Sequence, residues 1–300
     1  MNINQLETFI WVSTLGSFRK AAKKLNTSQP AISSRIASLE NLLGVNLFER
    51  HAGSFELTAK GVELLPYAQK ILVMAEKLKE KASEKTSISG LIRIGVSETI
   101  VHTWLSDFLK QAHISFPNVD IEITVDVTTN MRDELVNRSL DLAFLMGPIS
   151  DYAIHNVDLG AFELNWVCSP DLDFPDGKIP ITQIMQKPIM TYARNTRPFA
   201  EIQALLIEES LDISRLFPSS SLAASKRMTM DGLGIGMLPT ALIQEELKSG
   251  ELRKLETDWC PSELVFTASY PREPYNTAVE KLAGLAAEIA QRQITQSNTR

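Results

Sequence analysis

In the stretch SQPAISSRIASLE, Ser28 to Glu40, the hydroxyls of Ser28, Ser33, Ser34 and Ser38, the amide of Gln29 and the guanidinium of Arg35 surround one thin apolar stripe. Short donors and acceptors on one helical face suit hydrogen bonding to base edges and phosphates, because they let a helix enter the major groove without steric conflict. Four more cations, Arg19, Lys20, Lys23 and Lys24, precede this stretch, and no acid occurs from Phe18 to Leu39. The whole chain carries a formal net charge of −6. A basic window on an acidic body points to a polyanionic partner for one face only.

Other chemistry is poorly represented. His51, His102, His113 and His155 show no metal-ligand spacing, and Cys168 and Cys260 lie far apart, so neither metal nor cofactor is expected. There is no Gly-x-Ser-x-Gly elbow and no phosphate loop, and Ser97 beside Glu98 lacks a base. The expectation is a protein that is not an enzyme. A length of 300 residues with 44% hydrophobic and 22% charged content suits two or three globular domains. The apolar runs are too short for a membrane span, and MNINQLETF lacks a basic-then-apolar leader pattern, which places the chain in the cytoplasm.

The elements that must position these side chains follow from periodicity. Leu6, Phe9, Ile10 and Val12 recur at helical spacing from Asn2 to Leu15, and Gly16-Ser17 stops that helix. Phe18 to Leu25 places Phe18, Ala21, Ala22 and Leu25 on one face and the four cations on the other. Asn26-Thr27-Ser28 is a turn, with Ser28 as N-cap and Pro30 in the first turn of a third helix that ends at Gly44. Helix, short turn, helix with a basic first member is the helix-turn-helix arrangement. VNLFERHAGSFELT then alternates as a small hairpin or wing, with Arg50 and His51 as its basic side chains. Thr58 to about Lys85 reads as one long helix. Its Leu64, Tyr67, Ile71, Met74 and Leu78 step by three and four, which suits either pairing with a second copy or packing within one subunit. Pro66 inside it predicts a local kink or marks its first turns.

With LETFIWV, SFRKAAKKL, SQPAISSRIASLE, LGVNLFER and LTAKG in unbroken order, the first sixty residues resemble the LysR-type transcriptional regulators. The resemblance implies an α/β chain with an N-terminal winged helix-turn-helix over 1–57 and a linker (dimerisation) helix over 58–88. It also implies a two-lobed α/β effector-binding domain over 89–300, resembling periplasmic binding proteins, with lobe 1 at about 91–161 and 266–300 and lobe 2 at about 162–265. It implies promoter DNA carrying an inverted repeat, a homodimer or homotetramer, and a small-molecule effector as partners. The DNA-binding candidates are then Arg19, Lys20, Lys23, Lys24, Ser28, Gln29, Pro30, Ser33, Ser34, Arg35, Ser38, Arg50 and His51. Two departures from the family pattern concern sequence preference: Ser34 stands where many members have Arg, and Gly53 where many have a second wing arginine.

Beyond KTSISG, strands and helices alternate: strand Leu91 to Val96, helix from about Ile100 to Ser115, strand Val119 to Val127, helix Met131 to Ser139, strand Leu142 to Met146. A second unit of the same kind runs from about Glu163 to Cys260, and the chain returns through ELVFTASY and a terminal helix from Thr277 to Arg292. The alternation predicts mostly parallel sheets covered on both sides, with ligands at the carboxyl ends of the strands. Ser97, Glu98 and Thr99, then Thr128, Thr129 and Asn130, then Gly147 fall at such ends. Their hydroxyls suit effector binding or plain helix capping. Glu98 there suits a polar or amine-bearing group. In ARNTRPF, Arg194, Asn195 and Arg197 put positive charge at the positive end of a helix dipole. Either a bound carboxylate or an acid such as Glu201 would relieve that conflict, and the first option predicts a carboxylate-bearing effector. The alternative to a regulator is a small-molecule-binding protein, or an enzyme, using the two-lobed cleft.

Overall fold

The computed structural model describes residues 1–51, 54–82, 89–209 and 215–297, which divide into two compact units, Met1–Ser89 with Pro271–Glu280, and Gly90–Tyr270 with Lys281 onward. In the first unit, helices α1 (Ile3–Leu15), α2 (Phe18–Lys24) and α3 (Gln29–Leu43) precede a hairpin of β1 (Phe48–His51) and β2 (Ser54–Leu57) and the long helix α4 (Ala59–Ala82). Local capping chemistry starts each of the first three helices. Asn2 and Gln5 form a reciprocal capping box at 2.9 Å, Ser17 accepts from the Lys20 N–H, and Ser28 accepts from the Ala31 N–H.

The core of this unit is Leu6, Phe9, Ile10 and Val12 of α1 against Ala21 and Ala22 of α2 and Ile32, Ile36 and Leu39 of α3. Leu47 and Ala68 complete it. Phe48 of the hairpin meets the Phe9 ring edge-on at 5.6 Å, so the wing is pinned to α1 by aromatic packing. Glu40 adds a polar clamp: its Oε1 accepts from the Leu47 N–H at 2.7 Å and the Phe48 N–H at 3.2 Å. Glu40→Ala orphans both donors, so we expect a loss of about 1–3 kcal/mol in urea unfolding, with faster amide exchange at Leu47 and Phe48. Exchange unchanged at those two amides would show that the clamp is dispensable. Gly61 at the start of α4 passes so close to Leu47 that an added Cβ would lie 2.2 Å from its carbonyl oxygen. Pro66 is accommodated inside α4 without ending it. The last residues of the expected long helix, 83–88, and Gly53 of the wing lie outside the described residues.

The second unit opens with β3 (Ser89–Val96), α5 (Glu98–Val101), α6 (Leu105–Ser115), β4 (Asn118–Val125), α7 (Thr128–Val136), β5 (Leu142–Met146) and β6 (Ile154–Phe162). It continues with β7 (Leu164–Cys168), β8 (Lys178–Ile179), α8 (Ile181–Ile184), β9 (Ile189–Tyr192), α9 (Arg197–Glu208), β10 (Leu216–Ser219), α10 (Leu222–Met230) and β11 (Ile235–Pro239). A short 3-10 turn, α11 (Gln244–Ser249), β12 (Arg253–Thr257), β13 (Leu264–Pro271) and α12 (Thr277–Ser297) finish the chain. Two sheets result, a five-stranded one in the order β4-β3-β5-β13-β6 and a six-stranded one in the order β10-β9-β11-β7-β12-β8.

Both sheets are mixed: in the six-stranded one three of the five pairings are parallel, β12 with β8 among them, so the expectation from alternation holds there in part. β3 and β5 run parallel, as do β10, β9 and β11, but β13 opposes β5 and β7 opposes both β11 and β12. The reason is connectivity. β6 and β7 are separated by Glu163 alone, so one extended run leaves the first sheet and enters the second, and β13 brings the chain back. The two passages lie side by side: the Phe162 and Phe266 rings meet at 5.6 Å, and the Cys260 Sγ donates to the Leu164 carbonyl at 3.0 Å.

The helix expected from Ile100 to Ser115 is broken at His102-Thr103-Trp104. Thr103 Oγ1 donates back to the Thr99 and Ile100 carbonyls at 2.9 and 3.3 Å, and the turn buries Trp104 against Phe108 and Phe144. α7 begins at Thr128, earlier than the expected Met131, with Val127 at its N-cap and Asp126 bonded just ahead of it. The Asp126 carboxylate accepts from the Val127 N–H at 2.7 Å and from the Asn130 amide at 2.9 and 3.0 Å.

Candidate functional site

On the first unit, the basic face of α2 is open: Arg19, Lys20 and Lys23 are exposed. Lys24 is not equivalent to them. It is half-buried, with its Nζ 5.0 Å above the Trp11 ring, so it braces α2 on α1. On α3, Ser28, Gln29, Pro30 and Ser34 are exposed and Ser33 half-exposed, which leaves a shallow polar face at the helix start. Arg35, half-exposed, and Ser38, exposed, each also reach α1. Arg35 Nη1 donates to Thr8 Oγ1 at 3.4 Å and Ser38 Oγ accepts from Gln5 Nε2 at 2.9 Å, so both tie α3 to α1. Arg50 and His51 are on β1, the first strand of the wing. α4 presents a separate surface, where Tyr67, Ile71, Met74 and Leu78 form an exposed apolar stripe while Leu64 and Ala68 pack into the core.

On the second unit, a cleft of about 260 Å³ opens between the two sheets at the carboxyl ends of their strands. Ser97, Glu98 and Thr99 follow β3, Asp126, Val127 and Thr128 follow β4, and Met146 ends β5. Tyr192, Ala193 and Thr196 face them from the end of β9, and Ser219, Ser220, Ser221 and Leu222 from the turn between β10 and α10. Val125, Leu264 and Phe266 add apolar wall. Ser97, Glu98, Thr99 and Thr128 of the expected effector set therefore line the cleft, whereas Thr129, Asn130, Gly147, Arg194, Asn195 and Arg197 do not.

Each absence from the wall has a physical reason. Arg197 Nη1 donates to Glu201 Oε1 at 2.8 Å, one helical turn on, and Nη2 donates to the Glu263 carbonyl. The acid on the same helix thus relieves the dipole conflict. Arg194 lies over the Phe199 ring at 5.5 Å. Asn195 Nδ2 donates to Thr129 Oγ1 at 2.8 Å, a bridge between the two sides of the cleft, and Asn130 is held by Asp126. The space a side chain at Gly147 would need is filled by Thr267, whose Oγ1 lies 2.0 Å from the position of an added Cβ. Arg194 and Arg197 are both engaged elsewhere, so neither points to a carboxylate-bearing effector, and among the described residues no lysine or arginine lines the cleft. Its charged groups are the carboxylates of Glu98 and Asp126.

Glu98 is spoken for. Its carboxylate accepts from Ser221 Oγ at 3.1 Å, from the Leu222 N–H, and from the Ala223 N–H at 3.4 Å, all at the start of α10. His102 Nε2 lies 3.4 Å from Oε1 on the other side. Tyr192 is buried, and its hydroxyl has no partner at hydrogen-bond geometry although Thr99 lies close enough to influence it. Burial pushes its pKa upward, Thr99 offsets part of that rise, and the negative charge of Glu98 adds to it. Asp126, Tyr192 and Ser219 to Ser221 were not expected here; the serine run before an apolar helix start was the legible signal for the last three. The two cysteines are free, and desolvation pushes both thiols up, Cys260 to about 11 even though part of that residue reaches the surface. Neither is a thiolate at neutral pH.

Comparison with known proteins bears on both units. The model of the bacterial regulatory helix-turn-helix protein, lysR family, matches residues 3–62, and that of the LysR substrate binding domain matches residues 85–290. The HTH-type transcriptional regulator GltR of Bacillus subtilis is 30% identical over 253 residues, covering 84% of each chain. The HTH-type transcriptional regulator CzcR of Bacillus cereus is 29% identical over 252 residues, 84% of this chain and 85% of that one. Among solved structures, full-length LysG from Corynebacterium glutamicum with bound effector Arg superposes with a TM-score of 0.62 at 20% identity, covering 97% of this chain and 99% of that one. The chain belongs to the LysR family of transcriptional regulators, with an N-terminal helix-turn-helix DNA-binding domain and a C-terminal effector-binding domain.

Proposed function

We propose that residues 1–57 bind promoter DNA, that 58–88 pair two copies, and that 89–300 read a small molecule in the cleft and alter the geometry of the bound oligomer. The observation that carries this reading is the exposed polar start of α3 beside the open cations Arg19, Lys20 and Lys23 on a chain of net charge −6. In this assignment the cations of α2, with Arg50 and His51 of the wing, contact phosphates. Ser28, Gln29, Pro30, Ser33 and Ser34 face base edges, while Lys24 braces α2 on α1 and Arg35 and Ser38 tie α3 to α1. A homodimer or homotetramer presents two such helices to an inverted repeat in double-stranded DNA, since twofold protein symmetry matches a palindromic site. The partner is chromosomal DNA, which assigns the protein to the cytoplasm. Among the described residues no helix is long and apolar enough to cross a membrane.

A catalytic use of the cleft is disfavoured by its chemistry: the carboxylate beside Ser97 is already engaged at α10. The test is selection of bound sequences from a random duplex pool. We expect an inverted repeat, and Gln29→Ala with Ser34→Ala to relax the half-site at one or two base pairs, each worth roughly 1–3 kcal/mol of discrimination. An unaltered selected sequence would remove α3 from base readout.

A further inference from the structure

We propose that Glu98 is a resident anion: its carboxylate fills the place at the α10 N-terminus where an effector's carboxylate would sit, and fastens the two sides of the cleft together. This deepens, and rests on, the reading of the cleft as the effector site. The free N–H groups and positive dipole end of a helix start form an anion site, and α10 is nine residues long. Here that site is met from across the cleft by the side chain of a residue 124 positions away in sequence, with three donors from Ser221, Leu222 and Ala223.

The rest of the wall agrees. Tyr192 is buried at the wall with its hydroxyl near Thr99, and Ser97, Thr128 and Ser219 line the cleft with it, so this part of the lining is polar and uncharged. Asp126 adds a second negative charge, already anchored to α7, and no cation lines the cleft among the described residues. An entering carboxylate would meet two negative charges and find its helix start taken. The effector class that fits is therefore a neutral or amine-bearing polar molecule that leaves the Glu98 bridge in place.

Glu98→Ala removes one methylene and one carboxylate, the heavy atoms of acetate, so acetate is the probe. In thermal unfolding at constant ionic strength with chloride as the balancing ion, acetate is expected to raise the midpoint of Glu98→Ala by about 3 °C or more. The wild type and Glu98→Gln, whose side chain still fills the space, are expected to respond to neither acetate nor succinate. Stabilisation of the wild type by either anion, or a folded Glu98→Ala that ignores acetate, overturns the proposal. If Glu98→Ala does not fold, amide exchange in Glu98→Gln decides. Faster exchange at Leu222 and Ala223 supports the bridge, and exchange equal to wild type overturns it. None of these readouts uses DNA, so failure of the regulator reading, seen as absent DNA binding, is recognisable separately.

Discussion

Replacing Arg19, Lys20 and Lys23 together by glutamate is expected to lower DNA affinity by on the order of a thousandfold at moderate salt while leaving the fold intact. All three side chains are exposed on α2, and the window from Phe18 to Leu39 contains no acid to share the loss. Each phosphate neutralised releases counterions and contributes about 0.9 to the slope of log affinity against log salt, so loss of three contacts flattens that slope by about 2.7. Surface substitutions away from packed features change stability by within about 0.5 kcal/mol, so urea unfolding should be nearly unaltered. Lys24→Glu gives the contrasting pattern. Its ammonium sits over Trp11, so the change removes a packing contact between α1 and α2 and shows first in stability. Fluorescence anisotropy over a salt series measures both quantities, and an unaltered slope in the triple variant would detach α2 from the DNA.

The second large effect is expected at α4. Ile71→Glu with Leu78→Glu should convert the oligomer to a monomer at micromolar concentration, as read by sedimentation velocity. Tyr67, Ile71, Met74 and Leu78 are exposed at 61%, 39%, 65% and 71%, and step by four, three and four along the helix. A contiguous apolar stripe of that kind is the mark of a helix seam, and two carboxylates within it would be desolvated without partners. With one reading head per molecule, affinity for an inverted repeat falls by on the order of 10²–10⁴, because the second binding event is no longer intramolecular. Leu64 and Ala68, nearer the start of α4, are the residues that pack into the core and neither is changed, so the fold of the first unit should survive the double change. A variant that sediments like the wild type would mean that the stripe is not the seam.

The first unit was legible because its determinants are local. Ser28 capping, Pro30 in the first turn and the apolar spacing of Ile32, Ile36 and Leu39 all act within one helix and are found in the folded chain, whereas Leu43, the next residue at that spacing, stays exposed. What periodicity could not supply was the direction of polar side chains. Arg35 was placed with the base-reading set because it is cationic, yet its three-dimensional neighbour is Thr8, 27 residues earlier. The cleft was less legible for the same reason in stronger form. Strand ends suggest Ser97, Thr99 and Thr128, and these line the cleft, since the topology of an α/β sheet brings such ends together. Tyr192 sits in the apolar run KPIMTYA, where nothing in the sequence distinguishes a hydroxyl aimed at a cavity from one packed in a core. At Arg197 the sequence leaves two options open, a bound carboxylate or Glu201 one turn later, and the folded chain takes the second.

The paired passages at Glu163 and between β12 and β13 set how the cleft can open. Two neighbouring strands that cross the same boundary, clipped together at Cys260 and Leu164 and by the rings of Phe162 and Phe266, behave like the two knuckles of one hinge. Sliding or twisting of one sheet past the other would shear those contacts, so the easy motion is a single rotation that widens or narrows the gap between β9 and β3. An effector then has only an angle to set. Whatever its chemistry, the second unit reports it as one number, and Glu98 at the far side of the gap fixes where that number stands at rest.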